Sequence, residues 1–243
     1  MGKEVITLNN VNISFSKQEV LKDISFKVNK GEILGILGPS GSGKTTLIKA
    51  IVGMIAANKG EVGVLGMKMP SLKASDKIGY MAQADALYDD LSALDNLLFF
   101  GELYGLKGEK AKKKALELLK LVNLDENMRK KVSYFSGGMK RRLSLAIALI
   151  HEPEILILDE PTVGIDPVLR REFWDEFERI REGGATIILT THVMDEAEHC
   201  DRLALIREGE IIALETPDLL KVKSKGNTIE DAFLYFASLN KEV

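Results

Sequence analysis

The nine residues Gly38-Pro39-Ser40-Gly41-Ser42-Gly43-Lys44-Thr45-Thr46 fit the pattern G-x-x-x-x-G-K-[ST] at every fixed position. That combination can hold a chain of phosphates. Glycines let the backbone curl until successive N–H groups converge on one anion, and a helix starting there adds its positive end. The Lys44 ammonium would neutralise the outer phosphates, and the Thr45 hydroxyl would ligate Mg²⁺. A glycine-rich turn alone would mean little, so its flanks decide. Ile33-Leu34-Gly35-Ile36-Leu37 reads as a buried strand entering the loop, and Leu47, Ile48, Ile51 and Val52 recur at helical spacing after it.

A second chemical pair lies far downstream. Ile155-Leu156-Ile157-Leu158 reads as a buried strand ending in Asp159-Glu160. At the carboxyl edge of a parallel sheet, Asp159 could reach the Mg²⁺ of a nucleotide in the loop, and Glu160 could polarise a water as general base. The plain alternative is a solvated acidic turn; Lys44 weakens it by requiring a metal partner downstream. A third group, Phe135-Ser136-Gly137-Gly138-Met139, precedes a helix carrying Leu143, Ala146, Ile147 and Ile150. Ser136 could simply cap that helix. A serine before two glycines also exposes N–H groups at a helix start, which suits a second anion.

The elements that must position these groups follow from periodicity. Residues 5–37 alternate, as in Ile24-Ser25-Phe26-Lys27-Val28, and predict an antiparallel sheet leading into the loop strand. Glu61–Leu65 and Ile78–Met81 predict further strands. From about 86 to 135 the chain is rich in Leu, Lys and Glu, with Ala111, Ala115, Leu118 and Val122 at helical spacing. Then Asp166 caps a helix beginning at Pro167, with Leu169, Phe173, Phe177 and Ile180 as its inner stripe, and Gly183-Gly184 ends it. Thr186–Leu189, Leu203–Ile206 and Ile211–Leu214 predict strands, and Glu230–Phe236 a last short helix. Strand, helix, strand in succession implies right-handed crossovers and a parallel sheet.

Bulk properties narrow the class. A chain of 243 residues suffices for one large domain or a core with an insert, and 45% apolar with 28% charged residues suits a soluble globule. The net charge of −3 provides no basic field for nucleic acid. Lys110, Lys112, Lys113 and Lys114 read as one wet helix face. Cys200 is the single cysteine, so a disulfide framework is excluded and a reducing compartment is expected. No N-terminal stretch has signal-peptide form and no apolar run approaches bilayer-spanning length. A cytosolic protein is therefore expected, unless another chain holds it at a membrane.

Taken together, these elements closely resemble the ATP-binding-cassette (ABC) ATPases, whose signature most often reads Leu-Ser-Gly-Gly-Gln. The resemblance runs from the first strands to about residue 220. It implies an α/β fold: a P-loop NTPase ABC cassette with a mixed or parallel core sheet, an N-terminal antiparallel β-subdomain and an inserted α-helical subdomain. In that scheme 1–243 is one ABC ATPase domain. Residues 1–85 and 152–220 form the RecA-like core and antiparallel β-subdomain, 86–151 the helical subdomain with the signature, and 221–243 a short helical tail.

Carried over residue by residue, the resemblance implies ATP and Mg²⁺ as cofactors. Gly38, Pro39, Ser40, Gly41, Ser42, Gly43, Lys44, Thr45 and Thr46 would hold the phosphates, and Phe15 would stack on adenine. Gln83 matches the Q-loop glutamine, a sensor of γ-phosphate and Mg²⁺; Thr45, Gln83 and Asp159 would be the metal's protein contacts. Lys44, Gln83, Glu160 and His192 make up the catalytic set, His192 as the switch histidine. Ser136, Gly137 and Gly138 would reach the nucleotide of a second copy arranged head to tail, and Asp166 matches the D-loop aspartate as well as a helix cap. The partners implied are that second ATPase subunit, identical or related, and an integral membrane permease. The permease would dock near Gln83 and the helical insert, with Lys107–Leu121 as part of that surface, although a solvated helix accounts for most of it. The protein would then sit on the cytoplasmic face of the membrane through its permease, with no nucleic acid partner.

Thr191–Glu198 and Thr228–Phe233 look like the ATPase subunits of drug, antibiotic and lipid exporters. Several positions depart from the family's commonest residues. Phe135 and Met139 replace Leu and Gln of the signature, Phe15 replaces a Tyr, and Val163-Gly164-Ile165-Asp166 stands where Ser-Ala-Leu-Asp is frequent. Three other readings compete. A non-transport ABC ATPase of ribosomes or DNA would carry two cassettes or long coiled coils, and this chain has neither. Asp76-Lys77-Ile78-Gly79 fits a short GTPase pattern, but no N-K-x-D element accompanies it. A binding module without turnover fits poorly with Glu160 and His192 both present.

Overall fold

The computed structural model describes residues 2–16 and 18–239; the ends of the expected 1–243 domain, including residues 240–243 of the tail, lie outside the described residues. The chain divides into two compact units, 1–75 with 181–243 and 76–180.

The first unit opens with two long strands, β1 (Glu4–Phe15) and β2 (Gln18–Asn29), paired antiparallel. Alternation does the work: Ile6, Leu8, Val11 and Ile13 are buried along β1, and Leu21, Ile24, Phe26 and Val28 along β2. Strand β3 (Ile33–Leu37) is buried at every position and feeds the glycine loop, which α1 (Lys44–Ile51) follows. Strands β4 (Lys59–Val64) and β5 (Met67–Lys68) complete an antiparallel sheet in the order β2-β1-β4-β5, and α2 (Leu72–Ser75) ends this stretch.

The second unit begins with β6 (Ile78–Met81). Helices α3 (Ala93–Leu103) and α4 (Gly108–Leu121) follow, then two single 3₁₀ turns and α5 (Gly137–Leu149). Ala111, Ala115, Leu118 and Val122 are buried as their spacing predicts, while Lys110, Lys112 and Lys113 face water. Lys114 is the exception, held by Glu152. Strand β7 (Ile155–Asp159) runs parallel to β6, with Ile78 opposite Ile155 and Met81 opposite Leu158. Helix α6 (Pro167–Glu182) buries Leu169, Phe173 and Phe177. Trp174 joins that stripe edge-on to Phe177 (5.5 Å), whereas Ile180 is only half-buried. An indole covers more area than an isoleucine, which shifts the buried face toward it.

The chain then re-enters the first unit through β8 (Thr186–Thr191), α7 (Met194–Ala197), β9 (Arg202–Arg207), β10 (Glu210–Glu215), α8 (Pro217–Ser224) and α9 (Ile229–Leu239). Here the strand order is β10-β9-β3-β8, parallel except for the β9–β10 hairpin. The sheet of this unit is therefore mixed. Strand β8 extends two residues past its predicted end because Thr190 and Thr191 are also buried. The Thr216-Pro217 start of α8, with Thr216 Oγ1 accepting from Leu219 N at 3.3 Å, is a cap and first-turn proline that the periodicity reading passed over. Among the described residues no helix is long and apolar enough to cross a membrane.

Candidate active site

Two groups of chemistry-bearing residues are brought together, the glycine loop with Lys44 and His192 in the first unit and Gln83, Asp159 and Glu160 in the second, while Phe15, Ser136 and Asp166 stand on their own elements. In the first unit, β3 delivers the chain to Gly38, where a β-carbon would lie 2.2 Å from the Ile206 carbonyl oxygen on β9. Only glycine fits there. Gly43 closes the loop at φ +107°, a left-handed value that favours glycine, and a side chain there would strike Leu21. The loop is tied down by main chain: Ser42 N donates to Pro39 O (3.2 Å), Gly209 N to Ser42 O (3.1 Å) and Lys22 N to Gly209 O (2.8 Å). Lys44 is buried, and its ammonium folds back over the loop to Gly38 O (2.8 Å) and Pro39 O (3.1 Å).

Two features of this loop suit a polyphosphate. The Ser42 hydroxyl is buried with no partner among the described residues, which is costly unless an outside oxygen meets it. The first N–H groups of α1 also have no intrahelical acceptor, and they adjoin Thr45 and Thr46, both half-exposed. Pro39, Ser40 and Gly41 are open to solvent.

Strand register brings His192 to this loop. Leu37 on β3 is level with Thr191 on parallel β8, so Gly38 and His192 leave the carboxyl edge side by side. Thr191 Oγ1 donates to Glu196 Oε2 (3.0 Å) and accepts from Val193 N (3.0 Å). Both Thr191 and Glu196 are almost fully buried, so they fix the path of the chain through exposed His192. Phe15, at the open end of β1 opposite Gln18, is 51% exposed, an aromatic face presented to solvent. Cys200 is buried against Gly35, and burial pushes its thiol up, so it stays protonated and structural.

The second unit's cluster is made of side chains. Asp159 ends β7 with only 1% exposure. Glu160 follows in the left-handed region at φ +51°, a conformation costing about 1–3 kcal/mol for a non-glycine residue. Gln83, just past β6, donates through Nε2 to Glu160 Oε2 at 3.0 Å. Burial first, and then the negative charge of Asp159, push the Tyr80 phenol up to about 12, so it remains neutral beside that carboxylate.

Arg141, on α5, holds the cluster together. Its Nη1 donates to Ala82 O and Gln83 O (both 3.0 Å) and to Asp85 Oδ1 (3.3 Å), and its Nη2 donates to Asp159 O (3.3 Å) and to Glu160 O. Ser144, three residues along the same helix, donates to the same Asp85 oxygen at 2.8 Å.

At the start of α5 the Ser136 hydroxyl accepts from Met139 N (3.3 Å), so the cap reading is realised; Ser136 and Gly137 are exposed and Phe135 is buried behind them. Asp166 caps α6 in the same way, accepting from Val168 N (3.1 Å) and Leu169 N (3.0 Å). Sequence reasoning missed Arg141, Asp85, Ser144, Thr191 and Glu196. Arg141 sits inside Lys140-Arg141-Arg142, which reads as a wet basic turn. The available signal was that α5 is apolar around most of its circumference, so an arginine within it must find buried acceptors.

Similarity to known proteins agrees with this geometry. A family profile described as ABC transporter matches residues 21–163. The linearmycin resistance ATP-binding protein LnrL of Bacillus subtilis is 43% identical over 228 residues, covering 93% of this chain and 73% of that protein. The probable multidrug ABC transporter ATP-binding protein YbhF of Escherichia coli is 41% identical over 240 residues, and this chain spans only 42% of its length. A Nod factor export ATP-binding protein of Bradyrhizobium diazoefficiens is 40% identical over 90% of this chain and 73% of its own. Among solved structures, an ATP-binding subunit of an ABC transporter superimposes with a TM-score of 0.88 at 25% identity, covering 96% of this chain and 99% of that one. A dimeric ATP-binding cassette in a post-hydrolysis state with ADP and Pi superimposes with a TM-score of 0.80 at 28% identity, covering 87% and 98%.

Proposed function

The chain belongs to the ABC transporter family of ATP-binding proteins, and from that premise we propose which residues do its chemistry and what it drives. It is an ATP-binding, ATP-hydrolysing subunit. The observation that carries the site assignment is the loop of the first unit: a Gly38 with no room for a side chain, a Lys44 folded over it, and a buried Ser42 hydroxyl in need of an oxygen.

Residues 38–46 hold the phosphates in this reading, Phe15 stacks on the adenine, and His192 contacts the γ-phosphate from its place beside Gly38. Glu160 acts as general base, with Gln83 aligning its carboxylate; proton transfer of this kind contributes about 10²–10⁴-fold. The Gln83–Glu160 hydrogen bond uses the amide nitrogen and leaves the amide oxygen for a cation. Mg²⁺ suits the proposed contacts of Thr45, Asp159 and Gln83, all oxygen donors with one carboxylate, the balance of its shell coming from phosphate and water. When bound, the ion neutralises charge on the transferring phosphoryl group.

Ser136, Gly137 and Gly138 serve the nucleotide of a second subunit, Ser136 and Gly137 being exposed at the start of α5. The dimeric, ADP- and Pi-bound structural relative supports that arrangement. Two copies of this chain or one copy with a related subunit would satisfy it. Asp166 lies on the same second-subunit surface in this scheme. For function, the chain acts as one cassette: 1–85 with 152–220 as RecA-like core plus antiparallel β-subdomain, 86–151 as the helical subdomain with the signature, and 221–243 as a short helical tail.

The names of the relatives, which speak of drug and linearmycin resistance and of Nod factor export, support an exporter. The permease would be a separate integral membrane protein, holding this chain at the cytoplasmic face. Detergent extraction of membranes containing the tagged chain tests that. A stoichiometric integral membrane protein should co-purify and raise the ATPase rate; an ATPase found alone, or with ribosomes or DNA, would favour the non-transport reading.

A further inference from the structure

Arg141 is more deeply committed than a surface arginine. It is 7% exposed, and its two terminal nitrogens reach four backbone carbonyls and one carboxylate. Those carbonyls come from two segments. Ala82 and Gln83 follow β6; Asp159 ends β7 and Glu160 comes directly after it. A guanidinium is planar and always charged, so it fixes the separation and direction of the groups it bridges better than a lysine does. Asp85, which also receives the Ser144 hydroxyl, supplies the countercharge and locks the fork in place.

The need for such a clamp is visible in Glu160. Its left-handed backbone is held against an intrinsic preference, and Arg141 Nη2 bonds the carbonyl of that same residue. The side chain is then aligned by Gln83, whose own carbonyl is bonded to Arg141 Nη1. Both ends of the Gln83–Glu160 contact thus depend on one guanidinium. That guanidinium is carried by α5, which begins at the Ser136 cap.

We propose that Arg141 is a positioning residue for hydrolysis: it sets the Gln83–Glu160 pair from the helix that carries Ser136, so that displacement of α5 is felt at the general base. This rests on the reading of Glu160 as that base. Arg141 touches no reacting atom, and its effect should appear in turnover and not in ATP binding.

The test uses the full chain, comparing Arg141→Met, Arg141→Lys and Ser144→Ala with Glu160→Gln. Arg141→Met should lower kcat by about 10- to 100-fold, the scale on which small misplacements act, with the ATP Kd and KM within about twofold. Arg141→Lys should recover part of the rate, and Ser144→Ala should fall between it and the native protein. Added to Glu160→Gln, Arg141→Met should cost nothing further, because the group it positions is gone. Native kcat in folded Arg141→Met overturns the proposal, as does a loss of ATP affinity equal to the loss of kcat. If Arg141→Met does not fold, Arg141→Lys and Ser144→Ala decide: reduced kcat with unchanged KM supports positioning, and unchanged kcat in both overturns it. Should Glu160→Gln itself hydrolyse normally, the general-base reading fails. A dead Glu160→Gln beside a fully active Arg141→Met removes only the positioning role.

Discussion

The two clusters achieve precision by opposite means. Around Gly38 and Gly43 the geometry is held by main chain: a backbone hydrogen bond from the β9–β10 turn, which β2 in turn holds, and glycines packed where no side chain fits. Around Glu160 it is held by side chains, with Arg141 bridging two segments and Gln83 and Asp85 completing the set. A main-chain cradle has one task, to present N–H groups to an anion, and it does not need to move. A side-chain scaffold can be displaced by the helix that carries it. On the proposed reading the rigid kind of site grips the phosphates, and the adjustable kind sets the proposed general base.

Breaking the cradle should do most damage. Lys44→Ala removes the buried ammonium and should abolish ATP binding by isothermal titration while the fold survives; normal turnover in that variant would refute the loop's assignment. Gly38→Ala should act through the backbone alone, since its β-carbon meets the Ile206 carbonyl. It should lose ATP affinity and thermal stability together, whereas a variant with native affinity would mean that the loop is softer than its packing indicates.

Smaller effects sharpen the contrast. Thr191→Val keeps shape but deletes the hydroxyl shared with Glu196 and Val193. It should reduce kcat about tenfold with unchanged ATP affinity, less than the roughly 10²–10⁴-fold of a whole acid–base group, because the strand that presents His192 loses its anchor while His192 itself stays. Thr191→Ser should restore the rate, and a failure to do so would assign the effect to packing. Asp166→Ala deletes a helix cap and should cost about 1 kcal/mol in denaturant unfolding. A larger loss of ATPase than of stability would indicate the additional role at the subunit contact.

The same contrast explains what could be read from sequence. The cradle is local: nine consecutive residues, a strand before and a helix after, with types set by backbone sterics. The two strands beside His192 are nearly as legible, because both are apolar runs of limited length, but their mutual register is not written in either run. Arg141 was not legible, since its partners lie 18 to 59 residues away and nothing in Lys140-Arg141-Arg142 distinguishes the buried arginine from its neighbours. Ser136 and Asp166 were legible as caps from local pattern alone. The service to a second subunit proposed for them is not a property of one chain's geometry. Trp174 entered the α6 core in place of Ile180 because periodicity weights both equally and area does not.

The most direct test of the head-to-tail engine is the mass of Glu160→Gln in solution, measured by light scattering with Mg²⁺ and ATP. The mass should double with ATP, remain that of one chain with ADP, and return to one chain when Ser136→Arg is added while ATP binding persists. A Glu160→Gln protein that binds ATP tightly yet stays single, or a dimer indifferent to Ser136→Arg, would contradict it.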